Sequence, residues 1–198
     1  MNVPRKKIAL IVALAAGVSV LSAQRTVRIN LERMVQQSGA IIHATVQRVE
    51  SGRDRRTKLL FTTVTLAVKE NFYGAPNQTY SFRQYGGTDK GIAFYPSKMV
   101  QYKPGQEVIV LLYPASEMNF QSSVGAEQGV FYVSTTNAGQ ATVANAVKNR
   151  DLFKGTSQKR VLGKLVSLHE MNPGALPLED FAQAVRSLIR IYKKEGVR

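Results

Sequence analysis

From Ala40 onward, apolar and polar positions alternate in short runs, the period of half-buried β-strands. In Ala40–Glu50, Ile42, Ala44 and Val46 share one face, and His43, Thr45 and Gln47 the other. In Leu59–Glu70, Val64, Leu66 and Val68 oppose Thr63, Thr65 and Ala67. A charged turn, Ser51–Lys58, joins the two runs. Asn71–Gln78, broken by Gly74 and Pro76, reads as a loop before a third strand, Thr79–Tyr85. After a long connection from Gly86 to Gly105, Gln106–Tyr113 is almost continuously apolar, as a strand covered on both faces would be. Phe120–Gly125, Gly129–Thr135 and Gln140–Val147 complete the set, with Asn137 and Gly139 expected at positive φ in the last hairpin.

Helical spacing flanks this region. Asn30 is placed to cap a short helix bearing Leu31, Met34 and Val35, with Gly39 as its stop. Near the C-terminus Leu178, Phe181, Val185, Leu188, Ile189 and Tyr192 fall in one stripe of an amphipathic helix. Its first turn holds Glu179 and Asp180 and its last holds Lys193 and Lys194, which suits the helix dipole. Between these regions, residues 148–160 are basic and weakly patterned, Val161–Glu170 fits a strand or a short helix, and Met171–Pro177 reads as a loop. The order predicts a mainly β fold: an antiparallel, OB-like β-barrel with a short N-terminal helix and a C-terminal amphipathic helix packed on it.

The N-terminus adds a location. Arg5, Lys6 and Lys7 precede an uncharged, mostly apolar run from Ile8 to Leu21, and Ser22-Ala23 offers a small-residue cleavage site. That layout predicts a signal peptide over residues 1–23 and export to the periplasm or beyond the cell. No later segment is apolar for long enough to span a bilayer, so no transmembrane segment is expected after cleavage. The remaining chain divides into a β-barrel domain over 24–147 and a basic C-terminal extension over 148–198. Cysteine is absent, which excludes disulfide frameworks, thiolate metal sites and cysteine nucleophiles.

Charge points to partners. The chain carries 27 basic and 13 acidic residues, a net of +14, and three of the basic residues lie in the leader. A surplus of this size attracts anionic polymers or an anionic membrane surface. Lys90, Lys98 and Lys103 in the long connection are candidate contacts for such an anion or for a protein partner. So are Lys159, Arg160, Lys164, Arg186, Arg190 and Lys193 in the extension, where Arg186, Arg190 and Lys193 are expected opposite the apolar stripe. Export argues against nucleic acid as the physiological ligand.

Candidate chemistry is sparse. "RQYGGTDKG" (Arg83–Gly91) contains three glycines and a lysine, yet Lys90 is followed by Gly91 and not by Ser or Thr. Gly86 and Gly87 are adjacent, which breaks the dinucleotide spacing. The pair is better read as the end of the third strand, where the chain needs torsions that only glycine tolerates. His43 lies mid-strand and His169 precedes a loop, with no nucleophile elbow beside either. Two isolated histidines point to no metal site, no cofactor is implied, and no catalytic residues are assigned.

The motif order resembles a loose group of uncharacterised exported bacterial proteins with a small OB-like or TIMP-like β-barrel. The matching residues are Ala40–Val49, Thr62–Glu70, Gly74, Gly86-Gly87, Pro104–Leu111 and Gln128–Val133. The resemblance implies architecture and transfers no catalytic residue. The cysteine-dependent inhibition used by true TIMP-type inhibitors has no counterpart here. The chain is therefore expected to be a non-enzymatic binding module for an anionic polymer or a protein partner. The alternatives are a carboxylate hydrolase of envelope polymers and a protease-inhibitor-like protein.

Overall fold

A computed structural model describes residues 27–75, 77–171 and 174–193; the leader segment lies outside them. Helix α1 (Leu31–Gln37) begins at Asn30, whose side chain accepts a hydrogen bond from the Arg33 N–H at 2.9 Å. It ends at Ser38, and Gly39 serves a different need from a helix stop. A Cβ at Gly39 would lie 2.7 Å from the Pro114 Cα, so the residue is small to let another segment pass.

Strands β1 (Ala40–Arg53) and β2 (Leu60–Tyr73) are each 14 residues long and pair antiparallel. Both outrun the alternating pattern. The turn between them shrinks to residues 54–59, and the expected loop after Glu70 opens as strand through Tyr73. Glu70, Phe72 and Tyr73 are half-buried, and Ile41 pairs with Tyr73, so cross-strand packing carries the strand past its polar residues. Register shifts at Ile41/Ile42, His43/Ala44 and Val46/Arg48 bend the pair.

The third strand, β3 (Thr79–Tyr85), pairs with β2. The long connection contains a hairpin of its own, β4 (Gly87–Asp89) and β5 (Ile92–Phe94). Strand β6 (Glu107–Leu112) pairs with β1, β7 (Val130–Thr135) with β6, and β8 (Ala141–Asn145) with β7. Helix α2 (Lys159–Met171) resolves the segment that fits either a strand or a helix. A two-residue strand, β9 (Leu176–Pro177), then leads into helix α3 (Leu178–Tyr192). The main sheet runs β3-β2-β1-β6-β7-β8-β9, all antiparallel. The fold is thus mainly β with three helices. No helix among the described residues is long and apolar enough to cross a membrane.

The main sheet does not close on itself through a strand ladder. The expected strand at Phe120–Gly125 makes only single bridges, Phe120 to Arg83 of β3 and Ser123 to Leu112 of β6. Gly125 and Ala126 take φ of +67° and +57° and turn the chain into a 3₁₀ turn (Ala126–Gly129), which stops the ladder before β7. Asn137 is not at positive φ; Gly139 alone supplies it in the β7–β8 turn.

Two apolar cores lie on opposite faces of the sheet. Ala40, Ile42, Ala44, Val46, Val64, Leu66, Phe82, Val108, Val110, Leu112 and Val130 fill one. Ile41, Ile109, Leu111, Phe131 and Val143 face the other, against Leu31, Val35, Leu165, Phe181, Val185 and Leu188 of the helices. The α3 stripe is this second core.

Residues 145–156 are ordered, against the weak pattern they show in sequence. Backbone hydrogen bonds from residues 148, 150, 152, 154 and 156 to the carbonyls three residues earlier form a ribbon of consecutive turns. Leu152 and Phe153 anchor it in the second core. Asn145 and Asn149 exchange N–H···Oδ1 bonds at 3.0 and 2.8 Å, and Asn149 also donates to the Val143 and Gly174 carbonyls. Asn149 is fully buried, and these bonds satisfy its polar atoms.

The Gly86-Gly87 pair fastens the β4–β5 hairpin. A Cβ at Gly87, where φ is +153°, would meet the Phe61 carbonyl at 2.5 Å and the Thr62 hydroxyl at 2.8 Å. Gly91 also has positive φ but faces open space. Gly87→Ala should therefore cost about 3 kcal/mol, combining a clash with torsional strain, and Gly91→Ala about 1 kcal/mol. Urea denaturation of both variants checks this, and equal midpoints would show that close packing is not what requires glycine at position 87.

Candidate functional site

The β4–β5 hairpin presents a surface that the rest of the fold does not cover. Lys90 and Gly91, at φ of +46° and +81°, form its two-residue turn, as a type I′ hairpin requires. Ile92 is 57% exposed, Phe94 47%, Tyr95 45% and Tyr85 43%. Tyr85 stands 5.4 Å from Phe94 and 6.1 Å from Phe120, ring centre to ring centre, so the rings form one cluster. A cleft of about 180 Å³ adjoins it, lined by Tyr85, Pro96, Met99 and Val100 among others. Large apolar side chains gathered at an exposed point mark contact surfaces.

The mounting is closely packed and hydrogen-bonded. A Cβ at Gly86 would lie 2.6 Å from Pro96, so the segment after β5 packs directly on the strand end. The Thr62 hydroxyl donates to the Gly86 carbonyl at 2.8 Å, and the Gln84 side chain donates to the Val100 carbonyl at 2.9 Å. Beneath the surface Tyr102 is buried, and burial, with Tyr132 nearby, holds its hydroxyl above the usual phenol range.

Basic groups border the hairpin. Arg53 pairs with Asp89 of β4 at 3.0 Å, and Arg83 reaches Asp54 at 3.7 Å while lying over the Phe61 ring at 4.0 Å. Asp54 is held below the usual carboxylate range by the Thr57 N–H and hydroxyl. With both acids engaged, exposed Arg55, Arg56, Lys58 and Lys90 have no ion-pair partner among the described residues. The surface is aromatic at its centre and cationic at its border.

The other candidate contacts scatter. Lys98 lines the cleft beside Tyr85, and Lys103 is exposed in the connection before β6. Lys159 and Arg160 are exposed in the first turn of α2, and Arg190 is exposed on α3. Lys164 pairs with Asp180 at 3.4 Å. Arg186 does not lie opposite the apolar stripe: it clasps Glu70 through two nitrogens at 2.8 and 2.9 Å and bonds Glu179 at 2.8 Å. Those carboxylates hold its guanidinium still more firmly protonated. Lys193 donates to the Gln36 and Ser38 carbonyls, closing the end of α1. Arg186 and Lys193 are therefore fasteners between α3 and the body of the molecule.

Two constellations escape the sequence. His43 and Lys69 both bond Glu107, at 2.7 and 2.5 Å, joining β1, β2 and β6. Burial opposes ionisation of Glu107, and Lys69 and His43 overcome it, so its carboxyl stays below the usual range. The second is Glu32, the one buried carboxylate among the described residues. It accepts from the Thr156 hydroxyl at 2.6 Å, the Ser157 N–H at 2.7 Å, and the Ser157 and Tyr192 hydroxyls at 2.5 Å. Three segments meet there: α1, the end of the turn ribbon and α3.

Around the ribbon, three clefts of about 450–470 Å³ share Asp151, with Arg28, Arg33, Arg150, Lys154 and Lys159 on their walls. Glu32, Glu127 and Glu170 line them too, so their charge is mixed. Among the described residues no three His, Asp or Glu side chains are placed to hold a metal ion.

Burial works against ionised Glu32, but the donors of Ser157, Thr156 and Tyr192 outweigh it and bring the carboxyl from 4.5 down to about 2. Its stabilising effect is complete above pH 4.5 and is lost as pH falls from there toward 2. Glu32→Gln should lower stability at neutral pH by about 2 kcal/mol. The gap between the two proteins should then narrow on acidification through that window. Thermal melting of both from about pH 6 to about pH 2.5 checks it, and a gap independent of pH would remove Glu32 from the acid response.

Comparison with protein-family models, curated proteins and solved structures returned no match; the surface's own chemistry is what speaks for its role.

Proposed function

We propose that this chain is an exported, non-enzymatic binding module that docks a protein partner on the aromatic end formed by Tyr85, Ile92, Phe94 and Tyr95. One observation carries the reading: four large apolar side chains, on the β4–β5 hairpin and the residues flanking it, are between 43% and 57% exposed. A monomer with no use for them would gain by folding such a cluster inward. The leader pattern at residues 5–23 supports export, and location follows from it as periplasmic or extracellular.

The same proposal takes the fold to be OB-like. Its support is the bonding at residues 120–124. Gln121 donates to the Arg83 carbonyl at 2.7 Å, Tyr113 donates to the Ser122 carbonyl at 2.9 Å, and Val124 to the Leu111 carbonyl at 2.8 Å. This short segment spans the gap between β3 and β6; Gln121 accepts from the Tyr80 hydroxyl beside the first core, and Val124 enters the second. In such a barrel the aromatic cluster stands at one open end, which suits a binding site at the mouth.

A second reading, an anionic polymer held along the turn ribbon, is favoured by the basic residues on the mixed-charge walls of the three clefts. The two readings separate experimentally. A photo-crosslinking residue at position 94, in the chain expressed in its own cells, should give a discrete protein adduct, and one at position 137 in the far β7–β8 turn should not. With the crosslinker kept at position 94, replacing Ile92 and Tyr95 with Ser should abolish the adduct without changing the melting temperature. Absence of any adduct, together with salt-sensitive binding of a sulfated polysaccharide that Arg150→Glu and Lys154→Glu abolish, would reject the protein-docking reading.

A further inference from the structure

From the bonding of the β4–β5 hairpin we infer that the partner enters as an extended acidic segment that adds a strand to the outer edge of β5. The inference rests on the docking surface proposed above and specifies its occupant.

Asp89 and Ile92 flank the two-residue turn, so they exchange both hairpin hydrogen bonds. Bonding alternates along an antiparallel pair, which makes Thr88 and Ala93 a non-bonded pair and Gly87 and Phe94 a bonded one. The N–H and C=O of Ala93 therefore point away from β4. β5 pairs with β4 alone, and no strand among the described residues occupies its other edge. All three β5 residues are exposed. Edges of this kind are the sites at which an extended peptide joins a sheet, with main-chain bonds giving affinity and alternate side chains giving specificity.

Proteins blunt open edges by shortness, proline, charge or bulges; β5 is short, at three residues, but its sequence, Ile-Ala-Phe, carries neither proline nor charge. Alternation puts Ile92 and Phe94 on one face, two apolar anchors for every second residue of an added strand. Charge selects the remainder. Lys90 caps the hairpin, and Arg55, Arg56 and Lys58 lie on the β1–β2 turn that Arg53 ties to β4 through Asp89. Asp54 and Asp89 are occupied by Arg83 and Arg53, so a partner strand meets a cationic border that only an acidic segment complements.

The probe is a synthetic peptide of alternating Glu and Val, titrated against the full chain beside its Lys–Val counterpart. The acidic peptide should bind and the basic one should not. Methylating the peptide's alternate backbone nitrogens should weaken binding by about tenfold or more, since it removes ladder bonds without touching the protein. Ala93→Pro should do the same from the other side while leaving the hairpin's own bonds in place, with the melting temperature as control. Lys90→Glu should weaken the acidic peptide selectively.

No binding of the acidic peptide, or binding indifferent to both N-methylation and Ala93→Pro, overturns strand addition. If photo-crosslinking at position 94 still yields its protein adduct in that case, the docking surface stands and only the strand geometry fails. A sulfated polysaccharide that binds this end, depends on Lys90 and ignores Ala93→Pro would also overturn the inference, in favour of a polymer ligand.

Discussion

Strand β1 is the constraint to which the rest of the structure answers. Its first half is covered on both faces and bonded on both edges, to β2 and to β6. Ile41 belongs to the helical core, while Ile42, Ala44 and Val46 belong to the other. Two-residue alternation lets one strand serve both, with Ile41 on one face and Ile42, Ala44 and Val46 on the other. The irregularities at Ile41/Ile42 and His43/Ala44 bend the strand. The bend they introduce turns the strands of the first core around it. The helices are then obliged to cover the second face, and the sequence supplies α1, α2 and α3 to do so.

Once the helices are required, their attachment becomes an electrostatic problem. Helix α3 brings Arg186 and Lys193 to the sheet, where Glu70 and the α1 carbonyls receive them. Phe72 and Tyr73 lie under the same two cations, at 5.5 and 5.2 Å from ring centres. Glu32 does the complementary work from α1, collecting four donors from two other segments. Interactions of this kind between half-buried groups count for more than exposed pairs, because less water competes for them. The helical layer is thus held by apolar burial at its centre and by charge-assisted bonds at its border.

This explains what could be read from the chain in advance. The strands at Thr79–Tyr85 and Gln106–Tyr113, the Asn30 cap and the α3 stripe were legible, because each is set by local chemistry: alternation, a capping side chain, a 3.6-residue period. The Gly86-Gly87 pair was legible as punctuation but not as a fastening, since the Phe61 and Pro96 contacts lie far away in sequence. The same distance hid the roles of Glu32 and Glu107, whose partners sit up to 160 residues away. The turn ribbon was missed because its order comes from Asn145 and Asn149, which look like ordinary loop residues until they are buried facing each other. The strand placed at Phe120–Gly125 failed for a related reason. Its composition suits a strand, but the left-handed residues at its end stop a ladder that the neighbours would otherwise extend.

The net charge of +14 looks different against the fold. A count of basic residues treats each as available, and several are not. Arg186, Lys193 and Lys164 are engaged within the chain, and Arg53 and Arg83 hold Asp89 and Asp54. The composition of the basic C-terminal extension therefore overstates the cationic character of its surface. At the hairpin end the reverse holds. Arg55, Arg56 and Lys58, from the charged turn, and Lys90 are exposed there, and they border exposed rings. A cation beside apolar surface acts differently from one in a solvated row, because a partner that buries the rings must also bring its own charge into a partly dehydrated contact. Selectivity at such a site comes from the cost of a wrong charge as much as from the gain of a right one. The aromatic centre can supply affinity to many partners; the four cations around it decide which of them can come near.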